Sequence, residues 1–206
     1  MDFKKNIILF FIAGISVTLS FCQEPESVLT PENANEGRLN RLQPPEQVMD
    51  SIGIKPGMVV AEIGAGRGRY VVQLAVRVGE TGKVYAEDIN TESLSHLEKR
   101  CARWELENVE VILGDITDPK LPDKTLDVVF IISAYHHFED PVKLLKNAQP
   151  SLKPGGVVAI GEWLTSTSPE EIEAQMAAAG YILERTETFL EKNNLYIYIF
   201  KIEQDN

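Results

Sequence analysis

Hydrophobic positions along the chain follow two rhythms. Short β-branched or continuous apolar runs at residues 59–63, 83–88, 109–113, 126–132 and 157–161 read as strands, and the run at 126–132 is the kind buried on both faces of a parallel sheet. Between them apolar residues recur every three or four positions. Tyr70, Val71, Leu74, Ala75 and Val78 share one helical face that ends at Gly79, and Leu94, Leu97, Cys101 and Trp104 share another behind the N-cap Asn90. Pro45 opens a short helix with Val48, Met49 and Ile52 on one face, expected against the sheet edge near a ligand. Asp140 and Pro141 start a helix that the pattern carries to about residue 152, where Lys153-Pro154-Gly155-Gly156 stops it. Ser168-Pro169-Glu170-Glu171 is a capping box for a helix that closes at Gly180. Residues 181–190 and 195–201 then form a hairpin around 191–194, so the last strand runs antiparallel. This alternation predicts an α/β fold: a doubly wound sheet of seven strands, mostly parallel, with helices on both faces.

Composition adds limits. A chain of 206 residues with 44% hydrophobic content suits one domain, expected over residues 38–206. The net charge of −11, with no basic stripe, argues against nucleic acid as a partner. At the N-terminus Lys4 and Lys5 precede an apolar run over 7–21 that is shorter than the ~20 residues needed to cross a bilayer comfortably, so residues 1–21 read as a signal peptide or membrane anchor. Leu19-Ser20-Phe21-Cys22 resembles the lipobox of bacterial lipoproteins, except that Phe21 stands where a small residue is usual. A lipidated Cys22, plain secretion and an uncleaved anchor remain as readings, and all of them place the domain outside the cytoplasm, exported or anchored in the cell envelope, with a cytoplasmic location left as the other alternative. Residues 22–37, polar with Pro25 and Pro31, read as a flexible linker. Cys101 is the other cysteine, so no disulfide framework is expected.

The chemistry centres on residues 59–70, where the first strand runs into Gly64, Gly66 and Gly68 and then a helix. Glycines permit positive φ and close approach of a ligand, and the helix start favours an anion. A dinucleotide site would need G-x-G-x-x-G, but position 69 is Arg69. The pattern instead is Glu62-x-Gly64-x-Gly66-x-Gly68, followed by Asp88 closing the second strand and Asp115 after the third. In this ordered set, together with Leu126-Asp127-Val128-Val129-Phe130 and Leu152-Lys153-Pro154-Gly155-Gly156, the sequence resembles the class I S-adenosylmethionine-dependent methyltransferases, whose fold is Rossmann-like.

The resemblance implies S-adenosyl-L-methionine as cofactor, held by Glu62, Gly64, Ala65, Gly66, Gly68, Asp88, Ile89, Asp115, Ile116 and Ser133. Asp88 would take the ribose hydroxyls, Asp115 the adenine amine and the amides near Gly66 the carboxylate, with Ile89 and Ile116 on the two faces of the base. Glu62 either meets the ligand's ammonium or holds the glycine turn from behind. Arg67 and Arg69, where the family often has small residues, point to solvent, pair with Glu62 or an acidic substrate, or mark an altered ligand. Methyl transfer from a sulfonium needs alignment rather than a metal, and no metal set is expected. If the acceptor must lose a proton, Tyr135, His136 and His137 at the end of the fourth strand are the candidate bases, and Glu162 also faces the site. The acceptor pocket is assigned to residues 38–45, the loop at Tyr135 and the loop at 163–168, a setting for a small-molecule or lipid-like acceptor. The competing reading is an exported binding protein that keeps the fold without turnover.

Overall fold

The computed structural model describes residues 27–203; the signal-like run and Cys22 lie outside the described residues. Seven strands, β1 (Val59–Ile63), β2 (Lys83–Asp88), β3 (Val109–Leu113), β4 (Leu126–Ile132), β5 (Leu152–Trp163), β6 (Tyr181–Glu187) and β7 (Leu195–Ile202), form one sheet in the order β3-β2-β1-β4-β5-β7-β6. Neighbours from β3 to β5 are parallel, and β7 is antiparallel to both β5 and β6. Strand order reverses between β1 and β4. That is the switch point where sheets of this kind open a crevice at their carboxyl ends.

Six α-helices cover the sheet. On one face α2 (Pro45–Ile52), α3 (Val71–Val78) and α4 (Thr91–Arg103) pack over Val60, Val84, Val128 and Phe130. On the other α5 (Pro141–Ala148) and α6 (Pro169–Ala178) pack over Ala61, Ile63, Val129 and Ile131. The apolar stripes expected from 3.6-residue spacing are the buried ones: Tyr70, Val71, Leu74, Ala75 and Val78 are all at most 2% exposed. The N-caps Asn90, Asp140 and Ser168 each accept from the backbone amide three residues on.

Four expectations are corrected. The helix from Pro141 ends at Ala148, and Lys153-Pro154-Gly155-Gly156 lies inside β5 instead of ending a helix. Leu126 pairs with Leu152 and Val128 with Val157, so the extra residues are absorbed as an irregularity in the ladder, with Gly155 at φ 82° and Lys153 Nζ donating to Asp127 Oδ2 at 2.8 Å. In the hairpin, β6 stops at Glu187, and the connection to β7 contains a 3-10 turn at Glu191–Asn193. Helix α2 packs on α3 through Val48, Met49 and Ile52, and none of its residues lines the cavity described below.

The fourth correction concerns the end of the linker. Asn33 caps a helix, α1 (Ala34–Leu42), that is fastened to α4. The buried Glu36 carboxylate accepts from Arg100 Nη2 at 2.7 Å, and Glu32 meets His96 Nε2 at 2.6 Å and Arg103 at 3.5 Å. Arg100 is 1% exposed, and its Nε has no hydrogen-bond partner. Removing one member of such a pair leaves a buried charge uncompensated. Glu36→Ala is expected to cost about 3–5 kcal/mol in chemical denaturation, and Glu36→Leu with Arg100→Met to recover most of that loss. Equal stability of Glu36→Ala and the wild type would show that α1 is not held by this pair.

Candidate active site

The glycine turn is shaped by what surrounds it. Gly64, Gly66 and Gly68 have φ of 78°, 54° and 84°, a region that strains residues with a Cβ. A Cβ on Gly64 would fall 2.6 Å from the Ala134 side chain, and one on Gly68 would fall 2.3 Å from Leu97 Cδ1. At Gly66 nothing lies within 4 Å of that position. The outer glycines serve packing, and the central one faces open space.

The turn is tied to β2. Gly64 and Ala65 amides donate to the Glu87 carbonyl at 2.9 and 2.8 Å, and the Gly66 amide donates to Asp88 Oδ2 at 2.8 Å. Asp88 Oδ1 accepts from the Asn90 amide at 2.8 Å. Asp88 is therefore oriented from both sides, and each oxygen keeps a second lone pair. The Gly66 amide, expected to receive the ligand's carboxylate, is already engaged by Asp88.

A cavity of about 300 Å³ opens at the carboxyl ends of the strands. Gly64, Gly66, Asp88, Ile89, Asp115, Ile116, Ser133 and His137 line it, and Ile89 and Ile116 are exposed enough to offer two apolar walls. Ala65 and Gly68 do not line it: Ala65 is buried in the core and Gly68 makes room for Leu97. Glu62 does not line it either. Its carboxyl is 3% exposed, Oε2 has no hydrogen-bond partner, and burial, opposed by Arg69 and reinforced by Asp88, pushes it up to about 8. It makes no bond to the turn, which Glu87 and Asp88 hold instead, so the structure does not show it holding the glycine turn from behind.

Beside Glu62 lies a network that the sequence did not reveal. Gln43, fully buried after α1, donates from Nε2 to Ser133 Oγ at 2.6 Å and accepts at Oε1 from Arg69 Nη2 at 2.5 Å. The Tyr70 hydroxyl donates to the Gln43 carbonyl at 2.9 Å, and the Arg69 guanidinium lies 4.4 Å from the Tyr70 ring centre. Ser133 itself has φ 53° at the end of β4. Arg69 thus packs α1 against the turn, whereas Arg67 pairs with Glu92 at 3.6 Å near the surface. Nothing in the composition of residues 38–45 singles out Gln43, because its importance arises from contacts far away in the chain.

The aromatic run after β4 divides. The Tyr135 hydroxyl donates to Gln175 Oε1 at 2.7 Å, the residue is 1% exposed, and burial holds its phenol above the ordinary range, so it is a packing residue turned from the cavity. His136 Nδ1 lies 3.0 Å from Glu162 Oε2, and its ring sits 4.0 Å, centre to centre, from that of His137. Glu162, 1% exposed on β5, accepts from the Trp163 amide at 2.7 Å and from the His136 amide at 3.2 Å. A buried carboxylate on Nδ1 fixes the proton there and leaves Nε2 as an acceptor.

Sheet order, glycine turn and strand-end acids define a class I S-adenosylmethionine-dependent methyltransferase. The chain belongs to the methyltransferase-domain family whose model matches residues 54–201. It is 31% identical over 113 residues to a demethylmenaquinone methyltransferase of Bacillus mycoides, covering 55% of this chain and 48% of that protein. It is 34% identical over 116 residues to a ubiquinone/menaquinone biosynthesis C-methyltransferase of Idiomarina loihiensis, covering 56% and 46%. The chain thus spans about half the length of the curated relatives it matches. Among solved structures, a SAM dependent methyltransferase from Aquifex aeolicus superposes with a TM-score of 0.72 at 29% identity, covering 82% of this chain and 97% of that one.

Glu62 and Glu87, the latter also raised to about 8 by burial, bind more protons folded than unfolded between the ordinary value of 4.5 and about 8. Their contribution to stability therefore falls as pH rises through that window. In thermal and chemical melts from pH 5 to 8, Glu62→Gln is expected to gain on the wild type with pH, by on the order of 1 kcal/mol per unit. Parallel profiles for the two proteins would contradict a buried, unmet carboxyl at Glu62.

Proposed function

We propose that this domain moves the methyl group of S-adenosylmethionine to a small or lipid-like acceptor that gives up a proton, with His136 as the base and Glu162 as the residue that orients it. The observation that carries the reading is the His136–Glu162 pair at the carboxyl end of the sheet, next to the cavity-lining His137. The donor supplies a methyl on a positively charged sulfur that leaves as a neutral thioether, so no metal is called for. Among the described residues no group of three or more His, Cys, Asp or Glu side chains is arranged to hold a metal ion.

The chain's own residues then have distinct tasks. Asp88, oriented by Gly66 and Asn90, accepts from the ribose hydroxyls; Asp115 accepts from the adenine amine; Ile89 and Ile116 cover the faces of the base. The unpartnered Glu62 oxygen suits the donor's ammonium. As the acceptor attacks the methyl carbon in line with the departing sulfur, His136 Nε2 takes the acceptor's proton and Glu162 stabilises the imidazolium that results. The quinone-pathway names of the two curated relatives support an acceptor of this chemical kind.

Transfer of labelled methyl from S-adenosylmethionine into the organic extract of host cells tests the reading. His136→Ala is expected to lower turnover by about 10²–10⁴-fold while donor affinity stays within two-fold, and Asp88→Ala to weaken donor binding. Unchanged turnover in His136→Ala would contradict the base. Tight donor binding by the wild type with no transfer would favour a binding protein that keeps the fold.

We also infer an envelope location, supported by Lys4 and Lys5 ahead of the apolar run at 7–21 and by Cys22. Among the described residues no helix is long and apolar enough to cross a membrane. In the native host, Cys22→Ser is expected to shift the full chain from the membrane to the soluble fraction. Equal partitioning of the two would argue against lipid at Cys22.

A further inference from the structure

Two ionisable side chains that line the cavity, the exposed Glu139 and the buried Glu87, are used by neither the sequence pattern nor the proposed chemistry, and the buried one stands out. Glu87 is the penultimate residue of β2, 2% exposed, and lines the cavity with Asp115 and Ile116. By strand alternation it leaves β2 on the face opposite Asp88, the face that carries Tyr85 and Ile63. It therefore approaches the ligand space from beneath the residues assigned to the base.

Its position is built into the fold. A Cβ added to Gly114 would fall 1.7 Å from Glu87 Oε1, so the Glu87 carboxyl occupies the space that a side chain at position 114 would take. Gly114 immediately precedes Asp115, so the carboxyl lies against the backbone of the loop that reads the base. The Gly64 backbone amide faces it as a donor, no side-chain donor among the described residues holds it, and Lys120 donates instead to the Leu113 carbonyl at 3.4 Å. Its charged surroundings are Asp88 and Asp118 on the acidic side and Lys120 on the basic side.

We propose that Glu87 is a specificity-determining residue for the donor, donating a hydrogen bond from its carboxyl to a ring nitrogen of adenine; this rests on the reading of the cavity as the S-adenosylmethionine site. A carboxyl enclosed in an apolar wall beside two other carboxylates keeps its proton, and burial pushes Glu87 up to about 8. A protonated carboxyl offers an O–H, which Asp88 and Asp115 as carboxylates do not. The ring nitrogens of adenine are acceptors only. Glu87 thereby adds a carboxyl donor to a set of acids that otherwise only accept.

The test uses calorimetry of the full chain with S-adenosylhomocysteine and its 1-, 3- and 7-deaza analogues, each missing one ring nitrogen. The wild type is expected to bind one deaza analogue roughly three- to ten-fold more weakly than the parent, the range one hydrogen bond gives. Glu87→Ala and Glu87→Leu are expected to lose that preference and to bind the parent as weakly as the wild type binds the disfavoured analogue. Glu87→Gln, whose amide also donates, is expected to keep the preference. Asp88→Ala is expected to weaken parent and analogues equally. Retention of the wild-type preference in Glu87→Ala, or equal binding of all analogues by the wild type, would overturn the role of Glu87 alone. No binding of the parent by the wild type would overturn the cavity assignment as well.

Discussion

The geometry at the end of β1 depends on three alternate residues, Gly64, Gly66 and Gly68, being able to take positive φ, and on β2 lying close enough to hold the turn there. Gly64 and Gly68 cannot carry a Cβ because Ala134 and Leu97 stand in its place, and the amides of Gly64 and Ala65 run to the Glu87 carbonyl and that of Gly66 to the Asp88 carboxylate. Backbone strain and packing are thus met by one set of contacts between neighbouring strands. The parallel pairing of Glu62 with Ala86 and Ile63 with Glu87 sets their register, and the strand-order reversal between β1 and β4 opens the crevice beside them. Each later element of the site is placed relative to this turn.

Buried carboxyl groups are the second organising feature. Glu36, Glu62, Glu87 and Glu162 are all at most 7% exposed, and each is handled differently. Glu36 is paired with Arg100, Glu162 with a histidine and two amides, and Glu62 and Glu87 have no side chain hydrogen-bonded to them. Desolvation without a partner is costly, which sets the Glu62 oxygen apart from the other buried acids. Glu62 and Glu87 lie next to the glycine turn, one on each face of the sheet.

Strand and helix positions, the N-caps and the ordered glycines and acids were legible in the sequence because each rests on local spacing. Tyr70 to Val78 and Leu94 to Cys101 bury the faces their periodicity indicates. What escaped is non-local. Residues 33–37 look like a polar linker until Arg100, itself apparently on a solvent face of α4, is found buried against Glu36. Gln43 gains its place only through Arg69 and Ser133, ninety residues apart from the latter, and Glu87 was hidden behind its neighbour Asp88, whose role the motif supplies. Conversely Tyr135 had the right position in the chain for a base but the wrong side of the sheet, where Gln175 takes its hydroxyl. Lys153 to Gly156 carries stop signals that the ladder absorbs as an irregular strand start.

The turn, the oriented Asp88 and the His136–Glu162 pair together make one claim, that donor and proton acceptor meet at the carboxyl end of this sheet. A crystal structure of the protein soaked with S-adenosylhomocysteine measures it most directly. The account predicts the ribose hydroxyls on Asp88, the base between Ile89 and Ile116, the amino group toward Glu62, and the sulfur on the side of the cavity that carries His137, with His136 Nε2 open to the acceptor. A ligand seated away from Gly66, or a His136 ring turned from the sulfur and closed off from the cavity, would contradict it.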